Sequence, residues 1–278
     1  MTPSTPSANR AAAISTEALS VTYPNGTRAL HATSLDFAEG EFTVLLGSSG
    51  AGKSTLLRSL NGLVRPSTGC VLAAGPGDIA LASSLRAHRR RTGMVFQQHH
   101  LIGRLSVLTN VLTGRLGYHS ALSTLFPWSR TEKELALAAI DRVGLLEHAL
   151  TRADQLSGGQ QQRVGVARAL VQSPRILLAD EPVASLDPAT SERLLGLMHG
   201  ICKSDALTAV VSLHQVDFAR RFADRIVGLA HGEVIFDGPP ERLTDAVVTR
   251  LYGAHAPRST PQATTHLPMN TPPQGVPA

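Results

Sequence analysis

The chain has 278 residues, 42% hydrophobic and only 4% aromatic, with a net charge of +5; that describes a soluble globular fold of one large domain or two small ones. No apolar run nears the roughly 18 residues a membrane helix requires, and the N-terminus MTPSTPSANRAAA lacks the cationic flank and apolar core of a secretory signal, so the chain is expected in the cytoplasm. Cys70 and Cys202 are too few and too far apart for a disulfide framework or a zinc site and read as buried or semi-buried thiols, while the basic run His88, Arg89, Arg90, Arg91 has no interleaved aromatics and reads as a solvated helix face, not a nucleic-acid platform.

In chain order, residues 1–13 form a tail rich in Pro, Thr, Ser and Ala that is expected to be disordered. The stretch STEALSVTYPNGTRALHATSLDF alternates apolar and polar residues around the turn former PNG, which predicts antiparallel strands. Tyr23 in that stretch reads equally as a platform for stacking adenine or as an ordinary strand aromatic. FTVLL at 42–46 is a buried strand. GSSGAGKST follows it (Gly47, Ser48, Ser49, Gly50, Ala51, Gly52, Lys53, Ser54, Thr55) and opens a helix predicted over 53–62, which is the setting of a phosphate-binding loop. Its glycines let backbone N–H groups converge on one concavity, and the helix N-terminus adds positive dipole there. Lys53 is expected to reach the β- and γ-phosphates, Ser54 to bind Mg²⁺ through its hydroxyl, and Thr55 to make a backbone contact to the α-phosphate.

The stretch GCVLAAGPGDIALASS at 69–84 leaves the local β structure open. GMVFQQ contains a short strand followed by Gln97, whose amide can touch the metal or the attacking water; Gln98 is a rival for that role. Residues 100–157 read as a helical insertion in the α/β core, with Leu135, Ala138 or Ala139, Val143 and Leu146 on one apolar stripe. A second glycine pair, Gly158 and Gly159 in LSGGQ, precedes a helix predicted over 158–172. RILLAD at 175–180 is a strand that delivers Asp180 to a magnesium shell at the carboxyl edge of a parallel sheet, and Glu181 beside it is placed as general base. A helix over 189–203, a strand at 207–213 and a helix over 215–223 follow. His214 ends that strand at the same sheet edge and reads as a γ-phosphate sensor. GLAHGEVIFDG is a late hairpin, and residues 254–278, with six prolines, form a second tail expected to be disordered.

These residues in this order (Tyr23, GSSGAGKST, Gln97, LSGGQ, ILLADEP, SLDP and His214) resemble the ATP-binding subunit of ABC transporters over about residues 14–250, with every motif residue present. The resemblance implies an α/β fold, a P-loop NTPase ABC cassette with a parallel sheet core, an antiparallel β subdomain and a helical subdomain at about 100–157 within a domain spanning 14–253. It implies that two cassettes sandwich two ATP molecules head to tail as a homodimer. Under it Tyr23 becomes the adenine stacker and Gln97 the Q-loop glutamine, which with Ser54 and Asp180 completes the Mg²⁺ set. Glu181 becomes the base, His214 the switch histidine, and Ser157, Gly158, Gly159, Gln160 and Asp187 the contacts to the partner's ATP. The run HHLIGRLSVLTNVLTGRLGYHSALSTLFPW at 99–128 and the following GLLEHALTRADQLSGGQQQRVGVARAL are similar to phosphonate importer ATPases. That likeness implies two transmembrane permease subunits, an extracytoplasmic solute-binding protein, no nucleic acid, and a peripheral position at the cytoplasmic face of the inner membrane. The alternatives are an importer for an amino acid, phosphate or phosphite, or a soluble ABC ATPase; the latter class usually carries two cassettes or a coiled-coil insertion, and this chain has one cassette and no sustained heptads.

Overall fold

The computed structural model describes residues 11–98, 100–119 and 127–253. The elements in chain order are β1 (Ala12–Thr22), β2 (Arg28–Ala38), β3 (Phe42–Leu46), α1 (Lys53–Leu60), β4 (Thr68–Ala73), β5 (Gly77–Asp78), α2 (Ala82–Arg90) and β6 (Thr92–Val95). They continue with α3 (Val107–Leu112), α4 (Arg130–Arg142), α5 (Gly158–Leu170), β7 (Ile176–Ala179), α6 (Pro188–Ser204), β8 (Thr208–Leu213), α7 (Val216–Phe222), β9 (Arg225–Ala230), β10 (Glu233–Gly238) and α8 (Asp245–Tyr252). The first strand starts at Ala12, so Ala12 and Ala13 belong to the sheet and not to the tail expected there. Residues 1–10 and 254–278 of the expected tails, together with His99 and residues 120–126 of the run similar to phosphonate importers, lie outside the described residues.

Two sheets form. The antiparallel one has the order β2-β1-β4-β5, and the larger has the order β10-β9-β3-β8-β7-β6. In the larger sheet β9, β3, β8, β7 and β6 run parallel, with β10 antiparallel at one edge. Its strands are apolar on both faces because both are covered. Val44 and Leu46 of β3, Leu177 of β7 and Val211 of β8 pack with residues of α4, α5 and α6. Leu45, Leu178 and Val210, one residue out of phase, pack against α1 and the antiparallel sheet. The loose stretch at 69–84 supplies β4 and β5 of the antiparallel sheet and opens α2.

The helical insertion is less uniform than its periodicity predicts: α3 and α4 are joined to 3-10 turns at Thr113–Tyr118, Leu146–His148 and Ala153–Gln155. The expected stripe is also rotated. Leu135 and Leu146 are exposed, and the buried face is Ala136, Ala139, Ile140 and Val143, because α3 and α5 pack on that side. The basic run is a solvated helix face except at its first residue. His88 is buried, with its Nε2 2.8 Å from the Leu60 carbonyl, and burial lowers its pKa, so it packs as a neutral ring. Cys202 is buried, its thiol pushed up to about 12 by burial, and Cys70 is half-buried. Among the described residues no helix is long and apolar enough to cross a membrane.

Candidate nucleotide site

The parallel register carries β3, β7 and β8 to one edge of the sheet, where each strand hands over to a functional loop. After β3 the backbone turns through Gly47 at φ +152°, where a Cβ would come within 2.2 Å of the Leu229 carbonyl oxygen. Gly52, at φ +103°, would meet the Ala29 carbonyl at 2.7 Å. Only glycine takes both the conformation and the space. Gly52 is also the N-cap of α1 and offers no side-chain cap, so the first-turn amides of that helix are open to an anion. Lys53 is almost wholly buried, and its Nζ donates to the Gly47 and Ser48 carbonyls at 2.8 and 3.0 Å. Burial lowers its pKa, while the charges of Glu181 and Asp180 oppose that shift.

Across the loop, Asp180 follows β7 and is 2% exposed. Its Oδ1 accepts from Ser54 Oγ at 2.7 Å and from Ser212 Oγ at 3.1 Å, and Arg58 Nη2 lies 3.5 Å from its Oδ2. The Ser212 hydroxyl also accepts from the Glu181 backbone N–H at 2.9 Å. That bond helps hold Glu181 at φ +46°, a left-handed conformation that costs an ordinary residue of order 1–3 kcal/mol and tends to mark functional sites. The Glu181 carboxylate is thereby turned toward His214, whose Nε2 is 2.5 Å from Glu181 Oε1, and Lys53 Nζ is 3.9 Å from the same oxygen.

Tyr23 is half-buried against the antiparallel sheet's core, and its hydroxyl meets Thr55 Oγ1 at 3.2 Å, so the ring stands beside the phosphate loop. Gln97 and Gln98 are both exposed beyond β6, and among the described residues neither hydrogen-bonds to Ser54 or Asp180. The structure therefore brings together Lys53, Ser54, Asp180, Glu181 and His214, with Gln97 at the same sheet edge but apart from them.

The second glycine pair lies elsewhere. Ser157 is the N-cap of α5 and forms a capping box: its Oγ accepts from the Gln160 N–H at 3.3 Å, and Gln160 Oε1 accepts from the Ser157 N–H at 2.9 Å. Gly158 and Gly159 are the first residues of the helix, and a Cβ on Gly159 would come 2.7 Å from Thr190 Cγ2 of α6. Asp187 caps α6 by accepting from the Thr190 N–H at 3.0 Å, and bonding to Thr190 holds its carboxyl below the usual range. Two helix N-termini thus sit side by side. Among the described residues no hydrogen bond or ion pair joins Ser157–Gln160 or Asp187 to the Lys53–Asp180–Glu181–His214 group.

Three residues at the site were not singled out by sequence: Ser212, Arg58 and Tyr252. A serine inside the apolar strand TAVVSL is a signal for the first. Arg58 lies one helical turn beyond Ser54. Tyr252, whose hydroxyl donates to the His214 carbonyl at 2.8 Å, ends a helix that no periodicity announced.

Residues 30–184 match the family model described as ABC transporter. The chain is 61% identical, over 92% of its length and 92% of the relative's, to the phosphonates import ATP-binding protein PhnC 2 of Cupriavidus metallidurans. It is 59% identical, over 93% of its length and 92% of the relative's, to the phosphite import ATP-binding protein PxtA of Stutzerimonas stutzeri. Among solved structures, the dimeric cassette MJ0796 in a post-hydrolysis state bound to ADP and Pi is 35% identical, with a TM-score of 0.72, 82% of this chain covered and 98% of that one.

Proposed function

Because this chain belongs to the ABC transporter family and has its ATP-binding cassette fold, we propose that it hydrolyses ATP to drive import of phosphonates. The observation that carries the reading is the convergence of Lys53, Asp180, Glu181 and His214 at the ends of three parallel strands. The loop amides and Lys53 hold the β- and γ-phosphates. Glu181 takes the proton of the attacking water, and His214, hydrogen-bonded to it, keeps the carboxylate aimed at the γ-phosphate.

Ser54 Oγ and the buried Asp180 carboxylate, 2.7 Å apart, are the hard-oxygen pair that suits Mg²⁺. Ser54 and Asp180 would hold the ion, and it would supply positive charge that offsets the charge of the phosphates. Gln97, exposed at the same sheet edge, is the third member of that set in this reading. Tyr23, beside Thr55, stacks the adenine.

Ser157, Gly158, Gly159, Gln160 and Asp187 are separate from the phosphate loop within one chain, which supports a head-to-tail homodimer where each copy completes the other's site. Two further partners fit the reading. A groove of about 770 Å³ is lined by Leu63, Leu85, Phe96 and Leu116 together with Arg86, Arg89 and Arg90; in this reading it is the seat of a membrane permease. Two permeases and an extracytoplasmic binding protein would hold this chain at the cytoplasmic face of the membrane. Phosphite is the second reading of the cargo, favoured by the 59% identity to the phosphite relative. ATPase assays of the chain co-expressed with its permeases, with and without each solute, test the proposal.

A further inference from the structure

α8 carries its last residue back to the nucleotide edge. Val248 and Leu251 bury it in the core beside β9, where Gly228 leaves the room: a Cβ there would come 2.8 Å from Leu251 Cδ2. Arg220 of α7 fixes the start of the helix, donating to the Leu243 carbonyl at 3.0 Å and to Asp245 Oδ1 at 3.1 Å. Held at both ends, α8 places the Tyr252 phenol between two loops of the site. Its hydroxyl donates to the His214 carbonyl at 2.8 Å, and the Gly47 backbone lies against the same oxygen.

His214 sits in the bend between β8 and α7. Its ring reaches Glu181 on one side and Lys53 on the other at 2.5 and 3.4 Å. A bond on its main-chain carbonyl restricts the backbone of the residue that carries that ring. Gly47 is the first residue of the phosphate loop, so one phenol spans the residue that opens the loop and the residue that senses the γ-phosphate. Burial pushes the phenol up to about 12, so it stays a donor throughout the working range.

We infer that Tyr252 is a positioning residue for ATP hydrolysis, tying the switch histidine and the start of the phosphate loop to α8. It does not touch the reacting atoms; it sets where His214 and Glu181 meet. The inference rests on the ATPase reading above and is independent of the solute carried.

Tyr252→Phe keeps the ring and removes the bond. In the full chain, kcat for MgATP falls about 5- to 10-fold, the size expected for one lost hydrogen bond, with KM changed less than about twofold. In a His214→Ala background the same substitution changes kcat by less than about twofold, because the residue it acts through is gone. Val248→Ala, which destabilises the same helix without touching the phenol, lowers the melting temperature and leaves kcat at 20 °C within about twofold. A Tyr252→Phe kcat near wild type, an equal loss in the His214→Ala background, or an equal loss in Val248→Ala overturns the inference. Hydrogen exchange of the peptide spanning 208–218 reads the tie without turnover: faster exchange in Tyr252→Phe than in wild type supports it, and identical exchange overturns it. A wild-type chain without ATPase activity contradicts the proposed function and leaves this exchange test standing by itself.

Discussion

His214 and Glu181 meet across the ends of two adjacent parallel strands, Nε2 to Oε1, at 2.5 Å. Lys53 Nζ is 3.4 Å from the other ring nitrogen. An ammonium only donates, so the network assigns the acceptor role to Nδ1 and the proton to Nε2, whose N–H donates to Glu181 Oε1. The lysine proposed to hold phosphate and the carboxylate proposed to accept the water's proton are thereby linked through one imidazole.

Glu181→Gln removes the base and keeps the shape. Turnover is expected to fall by about 10²- to 10⁴-fold, while ATP binding persists and an ATP-bound dimer accumulates on size exclusion. A variant with near-normal single-turnover rates removes Glu181 from the role of base.

Gly47→Ala places a Cβ 2.2 Å from the Leu229 carbonyl in a left-handed backbone at φ +152°. The loop must shift or the chain must strain, at a cost of about 2–4 kcal/mol. Urea unfolding followed by circular dichroism is expected to show that loss together with weakened nucleotide binding. An unchanged midpoint contradicts the close approach.

Ser157→Asp separates the two tasks of the signature serine. Aspartate is as good an N-cap as serine, so the monomer should melt at the wild-type temperature with α5 intact. In the proposed dimer its carboxylate faces the γ-phosphate held by the partner, and like charges oppose closure. Loss of the cooperative ATP dependence without loss of stability is the expected result; retained cooperativity argues against completion of the site in trans.

Arg115 donates to both oxygens of Glu132, from Nε at 2.8 Å and Nη2 at 3.3 Å, and His119 Nε2 is 3.1 Å from Oε1. The Arg115 hydrogen bond, foremost, holds the Glu132 carboxyl below the usual range. A depressed carboxylate pKa contributes stability that is fully present above the unfolded value, about 4.3, and is lost as pH falls through the folded one. Glu132→Gln is therefore expected to cost about 2 kcal/mol at neutral pH, with the gap to wild type closing below about pH 4. Urea midpoints across pH measure it, and a gap constant with pH contradicts the assignment.

Strong local patterns made much of this molecule legible. Apolar runs bounded by breakers marked β3, β7 and β8, and the glycines of 47–52 marked the tight loop between β3 and α1, because backbone conformation there depends on nearby residues. Features set by distant packing were not legible. The periodicity of TEKELALAAIDRVGLL admits Leu135 on the core face, but α3 and α5 cover Ala136, Ala139 and Ile140 instead. His88 reads as one more cation in a basic run until Leu60 accepts its bond in the core. Tyr252 is far in sequence from both His214 and Gly47, and only the docking of α8 on β9 brings them together.

The central claim, ATP hydrolysis coupled to phosphonate import, is tested most directly by reconstituting the chain with its permeases and binding protein in vesicles. ATPase rate and solute uptake are measured together while phosphonate, phosphite, phosphate and an amino acid are supplied in turn. Phosphonate is expected to raise both rates, and Glu181→Gln to abolish both. Equal rates with and without phosphonate, or stimulation confined to the amino acid, would contradict it.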